Sequence, residues 1–277
     1  MRRTGTTNYW GSALALLAFA AVFLVPFAFI ALTAAKSDQE ASLLTLSWPT
    51  QWQVVENVRE VLQARDYLLI IAFINSVVLT VSSVAIMVVI SAMAAFVLQR
   101  RAGRWNGLIN FLVLSGLIIP PAVVPTIWVL QGVGLFKTMA GLVLIEVAFG
   151  MSFCVLLFRA FIATIPRELD EAAIIDGAGP LRVFFQVVFP LLRSVIVTVV
   201  VVQSVVVFND FVNPLYFLPG DQNATVQLTL FTFRSQFTTH YNLLFMDVLL
   251  ITIPPLVMFL FFNRQIVAGM TAGAIKG

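Results

Sequence analysis

Long apolar runs alternate with short polar segments along this sequence. Six of the runs are long enough to cross roughly 30 Å of hydrocarbon as α-helices. They cover residues 10–34, 75–98, 107–130, 139–162, 191–217 and 244–262. The pattern predicts an all-α polytopic membrane protein with about six transmembrane helices, in which residues 1–277 form a single transmembrane domain.

The segment 166–190 is a polar island between the fourth and fifth apolar runs. Three acidic side chains occupy its first turns, where the helix dipole favours negative charge: Glu168, Asp170 and Glu171. Gly177 and Gly179 predict the end of this helix, and Pro180 suits the first position of the next one. We therefore predict two short helices joined by a glycine corner at the membrane surface.

Each short helix has a distinct face at helical spacing. The first presents mostly small residues, which let another protein surface approach the backbone: Leu169, Ala172, Ala173 and Asp176. The second is expected to have one apolar face, made by Leu181, Phe184, Phe185 and Val188, with Arg182 and Gln186 opposite. The pattern indicates a docking element, although an ordinary amphipathic interfacial helix would show the same pattern.

Composition supports a membrane protein. Hydrophobic residues make up 60% of the chain and charged residues 10%, and the mean hydropathy is +1.00, which excludes an ordinary soluble domain. The net charge of +3 does not indicate a nucleic-acid partner, because the cations are divided among the loops between apolar runs. The single cysteine, Cys154, lies inside an apolar run and is expected to be a small core residue.

The distribution of arginine and lysine predicts the orientation of the spans. One side carries most of the 16 cations: Arg2, Arg3, Arg100, Arg101, Arg104, Arg159, Arg167, Arg182, Arg193, Arg264 and Lys276. The segment 36–67 on the other side is net acidic. Both termini and the polar island are therefore expected in the cytoplasm. The first run is longer than the apolar core of a signal peptide, so we interpret it as an uncleaved span.

Helix-breaking and ionisable residues inside the predicted spans are costly and usually face a cavity or a partner. Pro120, Pro121 and Pro125 in the third run predict either a break that lines a transport route or a structural kink. The candidates for a pore or a subunit interface are Pro121, Pro125, Asn209, Asp210 and Asp247. For Asp210 a helix-packing role competes with solute contact, and the roles of Glu146 and Asp247 stay open.

Other features narrow the function. We call residues 36–67 the outer segment, and its Trp48 and Trp52 are typical of the membrane–water interface. Residues 54–62 of this segment fit either a helix lying flat on the membrane or a solvated loop. His240 has no His or Cys at ligand spacing, so no metal site is expected. The sequence contains no Walker-type glycine loop and no nucleophile–base set, so we expect neither ATP binding nor enzyme activity in this chain.

The polar island resembles the EAA loop of ABC-importer permease subunits at Glu171-Ala172-Ala173, Asp176-Gly177-Ala178, Phe184 and Pro190. The resemblance implies the ABC importer permease fold with cytoplasmic coupling helices, which dock on a cytoplasmic ABC ATPase dimer. The implied docking residues are Glu171, Ala172, Ala173, Asp176, Gly177, Ala178 and Phe184. It also implies that ATP and Mg bind to that ATPase and that this chain binds no cofactor.

A second resemblance indicates the carbohydrate class. Residues 208–215 resemble the aromatic-Asn-Asp-Phe-x-x-Pro-Leu pattern of sugar permeases, with Phe208 where Trp is common. Asp247 departs from the family, which usually has a small residue there. Residues 263–277 resemble the C-terminus of the smaller permease subunit of maltose-type importers, which suggests a surface for contact with another chain in the cytoplasm.

These resemblances imply a sugar or oligosaccharide as solute, a second and different permease subunit, and an extracytoplasmic solute-binding protein. They also imply the bacterial or archaeal plasma membrane as location. An importer of another solute class is one alternative. A secondary transporter without an ATPase is another, but the sequence shows no obvious inverted repeat.

The charge distribution generates a test of topology. Cysteines placed at Ser37 and Ala272 are expected to react with membrane-impermeant thiol reagents from opposite faces of oriented vesicles, because they lie on opposite sides of the predicted span pattern. Labelling of both positions from the same face would contradict the six-span topology.

Overall fold

The computed structural model describes residues 9–101, 103–234 and 238–274. Within these ranges the regular elements are helices, apart from one isolated bridge between Arg234 and Thr239. The helices are α1 (Tyr9–Ala34), α2 (Asp38–Ala41), α3 (Val54–Arg100), α4 (Asn106–Ile118), α5 (Val123–Gly132), α6 (Met139–Ile162), α7 (Glu168–Ile175), α8 (Pro180–Arg182), α9 (Phe189–Leu191), α10 (Arg193–Phe208), α11 (Val212–Phe217), α12 (Val226–Thr229) and α13 (Tyr241–Ala274). A π-helix covers Val183–Val188, and a 3₁₀ turn covers Asp221–Asn223. The all-α prediction is confirmed.

Four helices in the described ranges are long and apolar enough to cross a membrane: Gly11–Ala34, Val54–Arg100, Met139–Ile162 and Tyr241–Phe262. Two further spans arise only if bent helix pairs are counted as single spans. The pair α4–α5 bends by 117°, and the pair Pro180–Leu191 with α10 bends by 77°. The total is then six, the number that the sequence predicts. The predicted positions Arg2, Arg3, Lys276 and Gly277 lie outside the described residues.

The chain divides into two compact units. The first contains residues 1–69 and 229–253, and its described part is organised around the buried side chains of Lys36 and Asn57. Lys36 Nζ donates to the Thr45 carbonyl oxygen at 2.7 Å and to Ser47 Oγ at 2.9 Å. Asn57 Nδ2 donates to the carbonyl oxygens of Ala34 and Lys36 at 2.8 and 2.9 Å. These bonds fix the outer segment to the end of α1.

The outer segment, held by these hydrogen bonds, also carries two exposed tryptophans. Trp48 and Trp52 are 74% and 61% exposed, and their ring centroids lie 6.2 Å apart. Residues 54–63 are helical, and the helix breaks at Ala64 to Tyr67, where three residues have positive φ angles: Arg65, Asp66 and Tyr67. The predicted second span, 75–98, falls in the regular helix after this break.

The second unit contains residues 70–228 and 254–277, and α6 lies in the middle of its core. Thr138 caps α6 because its hydroxyl accepts from the Gly141 amide at 3.0 Å. Leu142, Cys154, Val155, Phe158 and Ile162 on α6 are fully buried. At Gly150 a side chain would collide with Met87, so this glycine lets the helix bearing Met87 approach closely. The burial of Cys154 fits the small core residue that the sequence predicts.

The polar island forms two short helices, with Gly177 at a φ of +83° between them and Pro180 at the first position of the second. The predicted apolar face of the second helix is wrong in part. Leu181 is 65% exposed and Phe185 45% exposed. The buried side chains are instead those of Val183, Phe184 and Val188. The segment is a π-helix, in which residues five apart are hydrogen-bonded, so the α-helical spacing used for the prediction does not apply.

The predicted fifth span, 191–217, is not one helix. Leu192 lies between the end of α9 and the start of α10, and α10 ends at Phe208. At the break Asn209 Nδ2 donates to the Val205 carbonyl oxygen at 2.9 Å, and Asp210 Oδ1 accepts from the Val212 amide at 2.9 Å. Short polar side chains that bond to nearby backbone groups compete with helix continuation, and Pro214 has no amide hydrogen to donate.

The close packing of α6 yields a stability prediction. Gly141→Ala places a methyl group against the Leu135 carbonyl oxygen, a backbone atom that cannot rotate away. We expect a loss of about 1–3 kcal/mol, as for overpacked sites, seen as a lower unfolding temperature of the purified protein. Gly107→Ala in α4 is the control, because nothing lies within 4 Å of the added carbon. Equal unfolding temperatures for the two variants would contradict this account of the packing.

Candidate functional site

A cavity of about 560 Å³ with several polar side chains in its lining lies in the second unit, beside the break between α4 and α5 and the break after α10. Pro121 comes from the break between α4 and α5, and Asp210 from the break after α10. The remaining lining residues come from α6, α10 and α11: Glu146, Phe149, Gly150, Phe153, Val202, Gln203, Val206, Val212 and Asn213. Interrupted helices thus place side chains and backbone ends around one cavity.

The polar lining is joined by hydrogen bonds. Asn213 Nδ2 donates to Glu146 Oε1 at 3.2 Å, which connects α11 to α6. Asp210 Oδ1 accepts from the amides of Val212 and Asn213 at 2.9 and 3.3 Å, so Asp210 caps the first turn of α11. Gln203 Nε2 lies 3.4 Å from Cys154 Sγ. The cavity therefore has carboxyl and amide groups in defined positions, next to the rings of Phe149 and Phe153.

Three of the predicted pore or interface residues lie elsewhere. Asn209 is exposed and accepts from Gln227 Nε2 at 3.2 Å, but it does not line the cavity. Pro125 lies in the first turn of α5, where its missing amide hydrogen breaks no helical bond. Asp247 belongs to the first unit, is fully buried, and accepts from Thr229 Oγ1 at 2.8 Å. The cavity beside Asp247 measures only about 10 Å³ and is too small for a solute.

The polar island presents a mostly exposed surface at α7. Ile174 and Ile175 are 60% and 85% exposed, and Glu171 and Asp176 are exposed beside them. Phe184 differs from the other predicted docking residues because it is 2% exposed. Its ring lies 5.5 Å from the rings of Phe96 and Phe189, so it supports the loop from inside and is not on the surface.

Sequence reasoning missed several residues of these two sites. Asn213 lies within the quoted 208–215 motif, and its position three residues after Asp210 was the available signal. Gln203, a polar residue in an apolar run, gave a similar signal. The sequence pattern assigns Arg100 only to the positive charges that predict the membrane orientation. In the structure its Nε lies 2.6 Å from Asp170 Oδ2. No sequence spacing could have paired these two residues, because they are distant in the chain.

A family model confirms the resemblance. Residues 69–272 match the model described as "Binding-protein-dependent transport system inner membrane component". The chain belongs to this family of transport permeases. The matched residues include the cavity and the whole polar island, and they leave out the first span and the outer segment.

Relatives of this permease carry names of sugar importers. The melibiose/raffinose/stachyose import permease protein of Bacillus subtilis is 34% identical over 74% of this chain and 76% of its own length. The diacetylchitobiose uptake system permease protein of Streptomyces coelicolor is 30% identical over 94% of this chain and 87% of its own. The trehalose transport system permease protein of Mycobacterium tuberculosis is 33% identical over 74% of this chain and 77% of its own.

The fold also matches that of a solved transporter. The permease is similar to a chain in the crystal structure of a bacterial ABC transporter involved in the import of the acidic polysaccharide alginate, with a TM-score of 0.80. The match covers 95% of this chain and 98% of that chain at 17% sequence identity. It confirms the ABC importer permease fold that the EAA-like residues implied.

The hydrogen bonds of Asp210 yield a prediction. Asp210→Ala removes the cap of α11 and is expected to cost about 1 kcal/mol, seen as lower recovery and a lower unfolding temperature of the purified permease. Asp210→Asn keeps an acceptor oxygen and should restore both quantities. If Asp210→Asn were as unstable as Asp210→Ala, the carboxylate charge and not the capping bond would be what stabilises the break.

Proposed function

We propose that this permease is one translocation subunit of an ATP-driven importer for a sugar or oligosaccharide. The observation that carries the proposal is the cavity of about 560 Å³ beside α6, at the break between α4 and α5 and the break after α10. Broken helices in transporters expose backbone and side-chain polar groups near the solute path. We take the cavity as this subunit's part of that path.

The chemistry of the cavity suits a carbohydrate. Asn213 and Gln203 supply amide groups, and Glu146 and Asp210 supply carboxyl oxygens that can accept from hydroxyl groups. Phe149 and Phe153 add apolar surface against which a sugar ring can lie. The names of relatives for melibiose, raffinose, stachyose, diacetylchitobiose and trehalose support the same solute class.

The exposed face of α7 is the proposed contact for a separate cytoplasmic ATPase dimer, which would bind ATP and Mg. Ile174 and Ile175 provide apolar area, while Glu171 and Asp176 offer acidic partners for cations on the ATPase. In this proposal both termini and the polar island lie in the cytoplasm. A second, different permease subunit would complete the path, and an extracytoplasmic binding protein would deliver the solute.

In this mechanism the permease breaks no covalent bond. Closure of the ATPase dimer displaces α7, and the helices respond as rigid bodies that alternate access to the cavity. The hinge positions in this mechanism are the breaks at residues 119–122 and 209–211, where backbone angles can change without disrupting a continuous helix.

Reconstituted transport tests the proposal. The complex recovered with this permease is placed in proteoliposomes with its binding protein, and uptake of radiolabelled raffinose, trehalose or diacetylchitobiose is measured with and without internal Mg-ATP. We expect ATP-dependent uptake of at least one of these sugars. Uptake that persists without the ATPase would favour a secondary transporter, and uptake confined to non-sugar solutes would contradict the carbohydrate class.

Variants of the loop test the docking surface. Glu171→Arg reverses an exposed charge, and Gly177→Trp puts a bulky residue at a φ of +83°, which side chains rarely adopt. We expect normal membrane insertion with at least roughly tenfold less ATP-dependent uptake, because docking is weakened. Arg104→Glu is the control charge reversal outside the loop. Normal uptake at normal expression in both loop variants would contradict the docking assignment.

A further inference from the structure

Helix α7 has several exposed side chains and one buried acidic side chain. Ile174 and Ile175 are 60% and 85% exposed, whereas Asp170 is 8% exposed. Glu168 and Glu171, the other acids of the first turn, are both exposed. Asp170 is therefore not available to the surface on which a partner would dock.

Asp170 contacts the end of α3. The Nε atom of Arg100, the last residue of α3, lies 2.6 Å from Asp170 Oδ2, and the two side chains are only 10% and 12% exposed. The same guanidinium group donates through Nη2 to the carbonyl oxygen of Ile165 at 3.0 Å. Arg100 thus contacts the chain both before α7 and within its first turn. One guanidinium group therefore holds two points of the chain around the start of α7.

Two further contacts surround this ion pair. Arg167 Nη2 donates to the Gln99 carbonyl oxygen at 3.4 Å, at the residue next to Arg100. One turn earlier on α3, the Phe96 ring lies 5.5 Å from the ring of Phe184, which follows α8. The last turn of α3 therefore contacts the polar island before α7, inside α7 and after the glycine corner.

We propose that the Arg100–Asp170 ion pair is the link through which a displacement of α7 moves the cytoplasmic end of α3. Both are positioning residues: neither lines the cavity of about 560 Å³, and each acts by holding the other helix in place. The inference rests on the proposed function, because it presumes that an ATPase moves α7. The new element of the inference is the identity of the contact that transmits the movement of α7 to the membrane spans.

The physical reason lies in the difference between the three contacts. Aromatic rings can slide against each other at little cost, and the bond from Arg167 is long and exposed. The Arg100–Asp170 pair is largely shielded from water, so it is less screened by salt than a surface pair and resists separation. Separation would leave two largely buried charges without their partners, beside a pocket of about 360 Å³ that both side chains line. The pair therefore holds α7 and α3 together while α7 moves.

The test uses a reporter in the cavity of the complete complex. Cys154→Ala with Val202→Cys gives a single thiol on the cavity wall, and its labelling rate with a membrane-impermeant maleimide is measured in proteoliposomes with and without Mg-ATP and vanadate. Arg100→Gln and Asp170→Asn are made singly and together. Arg101→Gln, at the exposed neighbouring arginine, is the control for loss of one positive charge.

We expect the ATP-dependent change in labelling rate to fall at least about tenfold in each single variant and to fall no further in the double variant, because the two side chains act as one unit. Recovery of the ATPase with the permease and ATP hydrolysis per complex should stay within about twofold of the parent. The control Arg101→Gln should keep the full ATP response.

Four results would overturn the proposal. The ATP response persists in the single variants, or the two single effects multiply in the double variant, or the response falls equally in Arg101→Gln. The fourth is that recovery and unfolding temperature fall in proportion to the response, which would make the pair structural only. If instead the parent complex contains no ATPase or shows no ATP response, the proposed function itself fails and the link fails with it.

Discussion

Hydrocarbon offers no hydrogen-bond partner to an interrupted helix, and this constraint governs the second unit of the permease. Each unpaired backbone group there costs several kcal/mol, on the order of transfer estimates. At the break after α10, nearby side chains supply the missing partners. The Asn209 amide donates to the Val205 carbonyl oxygen, and the Asp210 carboxylate accepts from the Val212 amide at the start of α11. Asn213 then bonds to Glu146 on α6. The polar groups of the break are thus held by one another.

A cavity follows from this solution. An unbroken α10 would continue its side chains along α6, whereas the turn at residues 209–211 ends α10 and lets α11 begin at Val212. Pro121 at the other break lines the same space. The groups that satisfy the break after α10 also supply polar groups to the cavity, so their structural role and their proposed transport role fall on the same side chains. Asp210 is an example, since it caps α11 and lines the cavity.

The polar island has a comparable division of roles. Its exposed residues on α7 include Glu171 and Ala172, which the EAA resemblance assigns to docking, while Asp170 and Phe184 are buried and hold the loop on α3. A docking element that moved independently of the spans could not drive them. The inward contacts therefore matter as much for the proposed mechanism as the outward surface does.

Much of this fold could be predicted because long apolar runs permit little except helices in a membrane. The fourth predicted span coincides with α6, since Thr138 caps its start and the apolar pattern is uninterrupted. The glycine corner was predictable because Gly177 takes a backbone angle that other residues avoid. The tail at 263–277 lies partly beyond the described residues, and its proposed contact role stays a prediction.

The misses come partly from local backbone geometry and partly from tertiary contacts. The buried face of the polar island was misassigned because periodicity presumes an α-helix, and Val183–Val188 is a π-helix. Lys36 is buried because the outer segment folds back over it, which composition does not reveal. The pairing of Arg100 with Asp170 depends on two helices distant in sequence. The end of α10 at Phe208 depends on side chains bonding to the backbone, a choice that hydropathy cannot register.

The central claim is that the cavity between the broken helices belongs to an aqueous path. Nitroxide accessibility measures this directly in bilayers, with a spin label at Val206 on the cavity wall or at Phe19 on α1, each in a Cys154→Ala background. The account predicts that a water-soluble relaxation reagent reaches the label at Val206 far better than the label at Phe19, while dissolved oxygen favours Phe19. Equal accessibility at the two positions, with oxygen preferred at both, would contradict it.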